Sequence, residues 1–285
     1  MEPICIIPAY RVADTEIKST FAQLEDIFSG FVVVLNDETL DLDRAEAVKE
    51  LTGSAVWVAS IKGPVGKGEA VRAGLRIALG ESDSRIFVQM DGHLKQPPAQ
   101  VARLVERVSS NPQVGMVVAN RYGNRFDSLD SHRGAVTDGL SSLITRVTGY
   151  QIADTASGMR AYTRELASIF TEKSYCFGYG LELEQLFIAA QYGFSVVQES
   201  VDSNMQARST AAEKIEDNLA ALIGYAAKDL EPSERATLHR VMAGIKMRDS
   251  FEVDGGVFGI PGICCYNYIG RAEDDEESYS FSVKM

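Results

Sequence analysis

The sequence predicts an α/β fold in which a mostly parallel β-sheet is flanked by helices. Short apolar runs rich in β-branched residues do not alternate with polar residues, which is typical of strands covered on both faces. These runs are ICIIP (4–8), FVVVLN (31–36), AVWVAS (55–60), RIFVQMD (85–91) and VGMVVANR (114–121). Segments with helical periodicity lie between them, and this alternation favours a layered sheet that binds ligands at the carboxyl ends of its strands.

Helical periodicity predicts the elements that cover this sheet. The first helix has Ile17, Phe21 and Leu24 on one face, and another follows two prolines, which are common at helix starts. The predicted helices lie after Asp14, at about 69–78, after Pro98, at about 138–147 and at 180–193. The run FSVVQESV (194–201) predicts one more strand.

The chain is predicted to divide into a main domain and a carboxyl-terminal extension. The main domain covers residues 1–230 and the extension covers residues 231–285. Residues 212–246 carry two helical patterns parted by Pro232. Beyond them the sequence is rich in Gly, aromatic and acidic residues, so it predicts a loosely ordered appendage.

Composition excludes several classes of protein. The 285 residues are 45% hydrophobic and 24% charged, which indicates a globular protein with a full core. The net charge of −12 disfavours nucleic acid as a partner, although a small basic pocket can still bind a phosphate group. The four cysteines have no zinc-site spacing, and no apolar run approaches the ~20 residues of a transmembrane segment. We therefore expect free thiols and a cytoplasmic protein, and leave peripheral membrane contact and oligomeric state open.

Polar residues follow the predicted strands at the points where the strands end. Asp37 follows the second run, and Asp91, Gly92 and His93 follow the fourth. The segment KGPVGKGEAVRAGL places Lys67 at the start of a helix after a Gly-rich loop, a geometry suited to phosphate or ribose groups. It lacks the Ser or Thr that follows Lys in ATP-hydrolysing P-loops, which disfavours that chemistry.

The order of these motifs resembles the family 2 glycosyltransferases, and within them the dolichol-phosphate mannose synthase branch. The resemblance covers residues 3 to about 225 and is carried by IIPAY, VVVLNDETLD, GKGEAVRAGL, QMDGHLKQPP, NRYG, DTASGMRAYTRE and QARST. It implies a nucleotide-sugar-binding fold of the glycosyltransferase A type. It also implies transfer of a sugar from a UDP or GDP donor to a phosphate or hydroxyl acceptor, with inversion.

The resemblance also implies a set of donor-binding residues. These residues are Pro8, Ala9, Tyr10, Asn36, Asp37, Lys67, Gly68 and Gly92. The first three would line the base pocket, while Asn36 and Asp37 fall where the family holds the base and ribose. The family usually has two acids at that position, and Asn36 replaces the first, so the choice between UDP and GDP stays open.

The metal motif departs from the family pattern. The family has Asp, any residue, Asp, whereas this chain has Asp91, Gly92 and His93. The resemblance implies a divalent cation bound by Asp91 and His93, and the imidazole favours Mn²⁺ over Mg²⁺. Alternatively, Lys95 replaces the branch's Gln and its ammonium neutralises the donor diphosphate directly, which would make the metal dispensable.

The resemblance places the acceptor and catalytic residues in the later motifs. The acceptor phosphate would contact Arg121, Ser157, Arg160 and Arg208. Catalytic roles are expected for Asp91, Glu184 and Asp154, although a phosphate acceptor needs no general base. Glu182 and Glu184 are two residues apart and cannot share one helix face; the block spacing favours Glu184.

Three alternative functions differ in how well the sequence fits them. One is transfer to a soluble small-molecule acceptor, favoured by the lack of a predicted membrane anchor. Another is a catalytically impaired nucleotide-sugar-binding subunit, because Asn36, His93 and Lys95 all depart from the family pattern. A sugar nucleotidyltransferase is disfavoured, since IIPAYRVAD lacks the glycines expected after its first strand.

Overall fold

A computed structural model describes most of the first 202 residues. The described ranges are 2–37, 41–62, 66–92, 96–122, 140–142, 144–174, 176, 178–202 and 282–283, with backbone alone at 37, 62, 282 and 283. Of the predicted extension at 231–285, the described ranges include only residues 282 and 283. The predicted domain boundary therefore stays a prediction.

The described residues form one mixed sheet of eight strands. The strands are β1 (Ile4–Ala9), β2 (Gly30–Asp37), β3 (Ala55–Lys62), β4 (Ile86–Gln89), β5 (Val114–Asn120), β6 (Arg160–Thr163), β7 (Ser195–Ser200) and β8 (Ser282–Val283). Their order across the sheet is β7-β5-β6-β4-β1-β2-β3-β8. Among these eight described strands, only β6 and β8 pair antiparallel with their neighbours, so the predicted mostly parallel α/β fold is confirmed.

Helices cover both faces of this sheet. They are α1 (Asp14–Leu24), α2 (Leu42–Lys49), α3 (Lys67–Glu81), α4 (Pro98–Ser110), α5 (Arg164–Lys173) and α6 (Leu181–Gln191). Residues 140–142 and 144–148 are also helical, within the region predicted at 138–147. The sequence patterns did not predict α2 or α5, and α3 is longer than its predicted range.

Alternation along the strands divides the core into two layers. Ile4 and Ile6 of β1 lie in a hydrophobic cluster with α3, α5 and α6, whereas Cys5 and Ile7 lie in a second cluster with α1, α2 and α4. All four side chains are at most 2% exposed. Cys5 is a buried free thiol, as the sequence predicted. Because helices cover both faces, ligands have access at the ends of the strands.

Strand β6 determines which residues lie beside the carboxyl ends of the parallel strands. It pairs antiparallel with β4, with Arg160 opposite Gln89, and with β5, with Arg160 opposite Val118. The residues before β6 therefore lie beside the carboxyl ends of β4 and β5. This pairing brings the loop at 154–158 next to Asp91 and Arg121, which follow those two strands.

The two described residues of the carboxyl-terminal tail pair with β3 at one side of the sheet. Ser282 and Val283 pair antiparallel with Ser60 and Ala59 of β3. These two residues therefore form an edge strand. The rest of the tail that was predicted to be loosely ordered lies outside the described residues.

Candidate active site

The carboxyl ends of β1, β2 and β4 meet at one edge of the sheet, because these strands are parallel neighbours. Tyr10 follows β1, Asp37 ends β2 and Asp91 lies two residues after the end of β4. Helix α3 begins at this edge with Lys67, after Gly66 as its N-cap residue. The fold thus brings together the strand ends at which the sequence predicted functional residues.

A half-buried lysine is the central charge of this edge. The Lys67 ammonium nitrogen lies 3.0 Å from Oδ1 of Asp91 and 2.7 Å from Oε1 of Glu182. Burial opposes a charge on Lys67, but the two carboxylates outweigh it, so its pKa lies above the ordinary lysine value. The amine therefore stays a fixed cation between two acids.

Gly158 packs against this ion cluster. A Cβ atom at this position would lie 2.5 Å from the Lys67 ammonium nitrogen and 3.2 Å from Oδ1 of Asp91. Side-chain atoms do not approach so closely without displacing their neighbours. The absence of a side chain at 158 therefore allows the cluster to form beside the loop that precedes β6.

Asp154 and Arg121 form a second ion pair at the same edge. The guanidinium donates to Asp154 at 2.6 and 2.8 Å, and the Arg121 backbone N–H donates to the same carboxylate at 3.1 Å. Burial disfavours the charged guanidinium, but the paired carboxylate raises the pKa of Arg121 above its ordinary value. The structure therefore pairs Arg121, a predicted acceptor residue, with Asp154, for which a catalytic role was expected.

Arg160 lies in the interior. Its guanidinium donates to backbone oxygens of Thr155, Ser157 and Glu182 at 2.8, 2.9 and 2.5 Å, and to Oε1 of Gln185 at 3.3 Å. The residue is 0% exposed, and burial lowers its pKa to about 10. These contacts tie the loop before β6 to the start of α6, and the predicted contact of Arg160 with an acceptor phosphate stays a prediction.

The two acids of LELEQ have different surroundings. Glu184 is 1% exposed and accepts hydrogen bonds from the Ser174 hydroxyl and the Cys176 backbone N–H. Its carboxylate thus contacts the segment that links α5 to α6. Glu182, not Glu184, contacts Lys67. Spacing indicated that the two acids differ in direction, and the block spacing favoured Glu184 for a catalytic role, which stays a prediction.

The other described residues of the predicted donor and acceptor sites differ in their exposure and contacts. Tyr10 is 44% exposed and stacks with Arg11, whose guanidinium carbon lies 5.0 Å from the ring centroid. Asn36 is buried and donates to the Gly66 carbonyl at 3.4 Å. The remaining described positions are half-buried Pro8, buried Ala9, Gly68 in the first turn of α3, Gly92 against Val12, and Ser157, which is 0% exposed. Their assigned roles stay predictions.

Two of the predicted site residues, His93 and Arg208, lie outside the described residues, as does Lys95. Within the described part of the chain, no group of three His, Cys, Asp or Glu side chains is placed to hold a metal. The half-exposed carboxylate of Asp91 is nevertheless a hard oxygen donor. Such a donor fits a cation shared with a diphosphate, since Mg²⁺ is commonly held by one or two carboxylates plus substrate phosphates.

Comparison with known families agrees with the site. Residues 5–170, more than half of the chain, match the family described as "Glycosyl transferase family 2". The chain belongs to glycosyl transferase family 2. Among curated relatives of this family 2 chain is "Undecaprenyl-phosphate 4-deoxy-4-formamido-L-arabinose transferase" of Pectobacterium atrosepticum, 28% identical over 170 residues. The match covers 57% of this chain and 49% of that relative, so the chain spans about half the length of the relative.

Solved structures show the same fold. The glucosyl-3-phosphoglycerate synthase of Mycobacterium tuberculosis, solved with Mg²⁺ and UDP, has a TM-score of 0.58 at 20% identity, over 79% of each chain. A mannosyltransferase of Pyrobaculum calidifontis, solved with GDP-mannose and Mn²⁺, has a TM-score of 0.55 at 16% identity, over 87% of this chain and 76% of that one. In the described part of this family 2 chain, no helix is both long and apolar enough to cross a membrane.

Proposed function

We propose that this chain is a glycosyltransferase that moves a sugar, with inversion, from a UDP- or GDP-sugar to a phosphate or hydroxyl acceptor. The observation that carries the proposal is the ion cluster of Lys67 and Asp91 at the strand ends of a family 2 domain. Because the ammonium is half-buried and held by two carboxylates, it is placed to stabilise negative charge that builds up on a departing diphosphate.

In this proposal the donor lies along the ends of β1, β2 and β4. Tyr10 and its neighbours Pro8 and Ala9 contact the base, and Asn36 with Asp37 binds the base or ribose. Lys67 faces the diphosphate, next to the first turn of α3, whose backbone N–H groups favour phosphate. UDP and GDP both remain candidates.

A divalent cation would be held by Asp91, with His93 as the second ligand. When bound, it would neutralise diphosphate charge and orient the donor. The Mg²⁺ and Mn²⁺ ions in the solved structures of similar fold support this proposal, and imidazole ligation favours Mn²⁺. Lys67 can supply part of the same neutralisation from the protein itself.

We assign the acceptor to the side of the site that carries Arg121. This residue is 21% exposed while its partner Asp154 is buried, so the guanidinium is oriented by the acid and remains accessible to an anion. Relatives named for undecaprenyl phosphate support a lipid phosphate as acceptor. A phosphate oxygen needs no general base, so Asp154 would orient Arg121 and remove no proton.

A donor panel tests this function. Purified protein is incubated with UDP- and GDP-sugars and Mn²⁺, with undecaprenyl phosphate, a soluble polyol or water alone as acceptor. We expect transfer to the lipid phosphate; transfer to the polyol alone would instead support a soluble acceptor. Binding of donor without any turnover would reject the transferase and support a binding subunit.

The variant Asp91→Ala connects this activity to the site. We expect a loss of rate on the order of 10²-fold with the fold retained, because Asp91 is half exposed and lies outside the core. The matched control is Asp83→Ala, an exposed acid that precedes β4 and so lies toward the opposite end of the strand. Equal rates in the two variants would show that Asp91 does not contribute to the proposed site.

A further inference from the structure

We propose that Glu182 is a positioning residue that holds the Lys67 ammonium where the donor diphosphate binds. This inference rests on the proposed function and adds a residue to it. Glu182 was not predicted from the sequence as a site residue. Lys67 contacts two acids, Asp91 and Glu182, which hold it in different ways.

The two acids differ in accessibility. The side chain of Glu182 is 4% exposed, whereas that of Asp91 is 47% exposed. The interaction with the buried acid is also the shorter one, at 2.7 Å against 3.0 Å. Charge pairs interact more strongly where water is excluded. Glu182 therefore fixes the ammonium from the interior, and Asp91 contacts it from the side that a ligand can reach.

Glu182 is itself held rigidly. It lies in the first turn of α6, where a negative side chain is favoured by the helix dipole, and its backbone carbonyl accepts from the buried Arg160 guanidinium. This backbone contact connects Glu182 to the same loop that carries Gly158. The ammonium, the glycine beside it and the acid behind it are thus fixed as one unit.

Lys67 forms the direct ion pair with the carboxylate of Glu182, whose charge also interacts with the buried Arg160 guanidinium. The second carboxylate oxygen, Oε2, is buried and has no hydrogen-bond partner among the described residues. An ion pair buried in this way is often no more stabilising than apolar residues of the same volume. We infer that the arrangement serves to place the ammonium.

Glu182→Gln tests this role through kinetics. Glutamine keeps the shape and an oxygen that accepts from Lys67, so the fold and ground-state donor binding are expected to persist. Without the second charge the ammonium is held less firmly as charge builds up on the diphosphate, and we expect kcat to fall roughly tenfold to hundredfold with donor KM not raised. The control Glu165→Gln, an exposed acid in the first turn of α5, is expected to keep both constants.

Three outcomes separate this inference from the proposed function. A wild-type protein that neither binds UDP or GDP nor transfers sugar rejects the proposed function and this role with it. A wild type that transfers sugar and a Glu182→Gln variant with unchanged kcat reject the positioning role alone. A raised donor KM with unchanged kcat also rejects it, since that result describes uniform binding.

A stability cycle tests the pairing itself without any substrate. Thermal unfolding is compared for the wild type, Lys67→Met, Glu182→Gln and the double variant. Lys67→Met removes the direct ion-pair partner of a buried carboxylate, so we expect the double variant to melt at a higher temperature than Lys67→Met. Additive losses would show that the two side chains act independently and would overturn the inference.

Discussion

At the scale of single residues, the site depends on a few charged groups and on one position without a side chain. Lys67 is held by Asp91 and Glu182, and Gly158 lies against the ammonium. The sequence could place Asp91 and Lys67 at strand and helix ends, because motif order and the α/β pattern define those positions. It could not place Glu182, because contact across α3 and α6 depends on packing between distant segments.

Gly158→Ala is expected to impair transfer while leaving the fold intact. The new Cβ would meet the flexible end of Lys67 at 2.5 Å, so the ammonium must move and the core need not. A displacement of about 1 Å in a catalytic group can reduce a rate on the order of 10²-fold. The control is Gly53→Ala, where no atom of the described residues lies within 4 Å of the added Cβ. Wild-type kinetics in Gly158→Ala, measured with the donor in excess, would contradict this account of the glycine.

At the scale of secondary structure elements, the segment between α5 and α6 fixes the start of α6. Glu184 accepts from Ser174 and Cys176, while Arg72 of α3 donates to the Ser174 carbonyl. Glu184 of α6 and Arg72 of α3 are both buried, and both bond Ser174. The first turn of α6 is therefore connected to α3 through this residue. Glu182 reaches Lys67 because these contacts set the position of the helix.

Glu184→Gln is expected to lower the free energy of unfolding by ~1–3 kcal/mol, because hydrogen bonds to a buried charge are weakened or lost. The measurement is urea unfolding, with Glu172→Gln as the control, since Glu172 is an exposed acid on α5. A variant with wild-type stability and no transfer activity would instead favour the catalytic role that the sequence predicted for Glu184.

The elements themselves were predictable to different extents. Strands β1, β2 and β3 are continuous apolar runs, and such runs indicate buried parallel strands. Strand β6 has the sequence RAYT, and its first residue, Arg160, is a charged side chain that is 0% exposed. Its strand conformation depends on pairing with β4 and β5, which no local pattern reveals. Helix α2 was missed because LDRAEAVK buries only Ala45 and Val48 and so has little apolar periodicity.

At the scale of the whole molecule, the fold concentrates opposite charges at one edge of an acidic protein. The chain carries a net charge of −12, yet Lys67, Arg121 and Arg160 lie at or beneath the strand ends with Asp91, Asp154 and Glu182. This local balance makes binding of an anionic diphosphate feasible despite the overall charge. The positions of the strand ends, the family membership and the charge distribution therefore indicate the same site.

The central claim is that a nucleoside diphosphate binds at this edge, and thermal unfolding with added UDP or GDP tests it most directly. Saturation at a hundredfold excess over Kd would stabilise the wild type by about 2.7 kcal/mol. We expect at least one of the two nucleotides to raise the Tm of the wild type, more in Mn²⁺ than in chelator, and to raise that of Asp91→Ala much less. No shift with either nucleotide, or an equal shift in both proteins, would contradict the account.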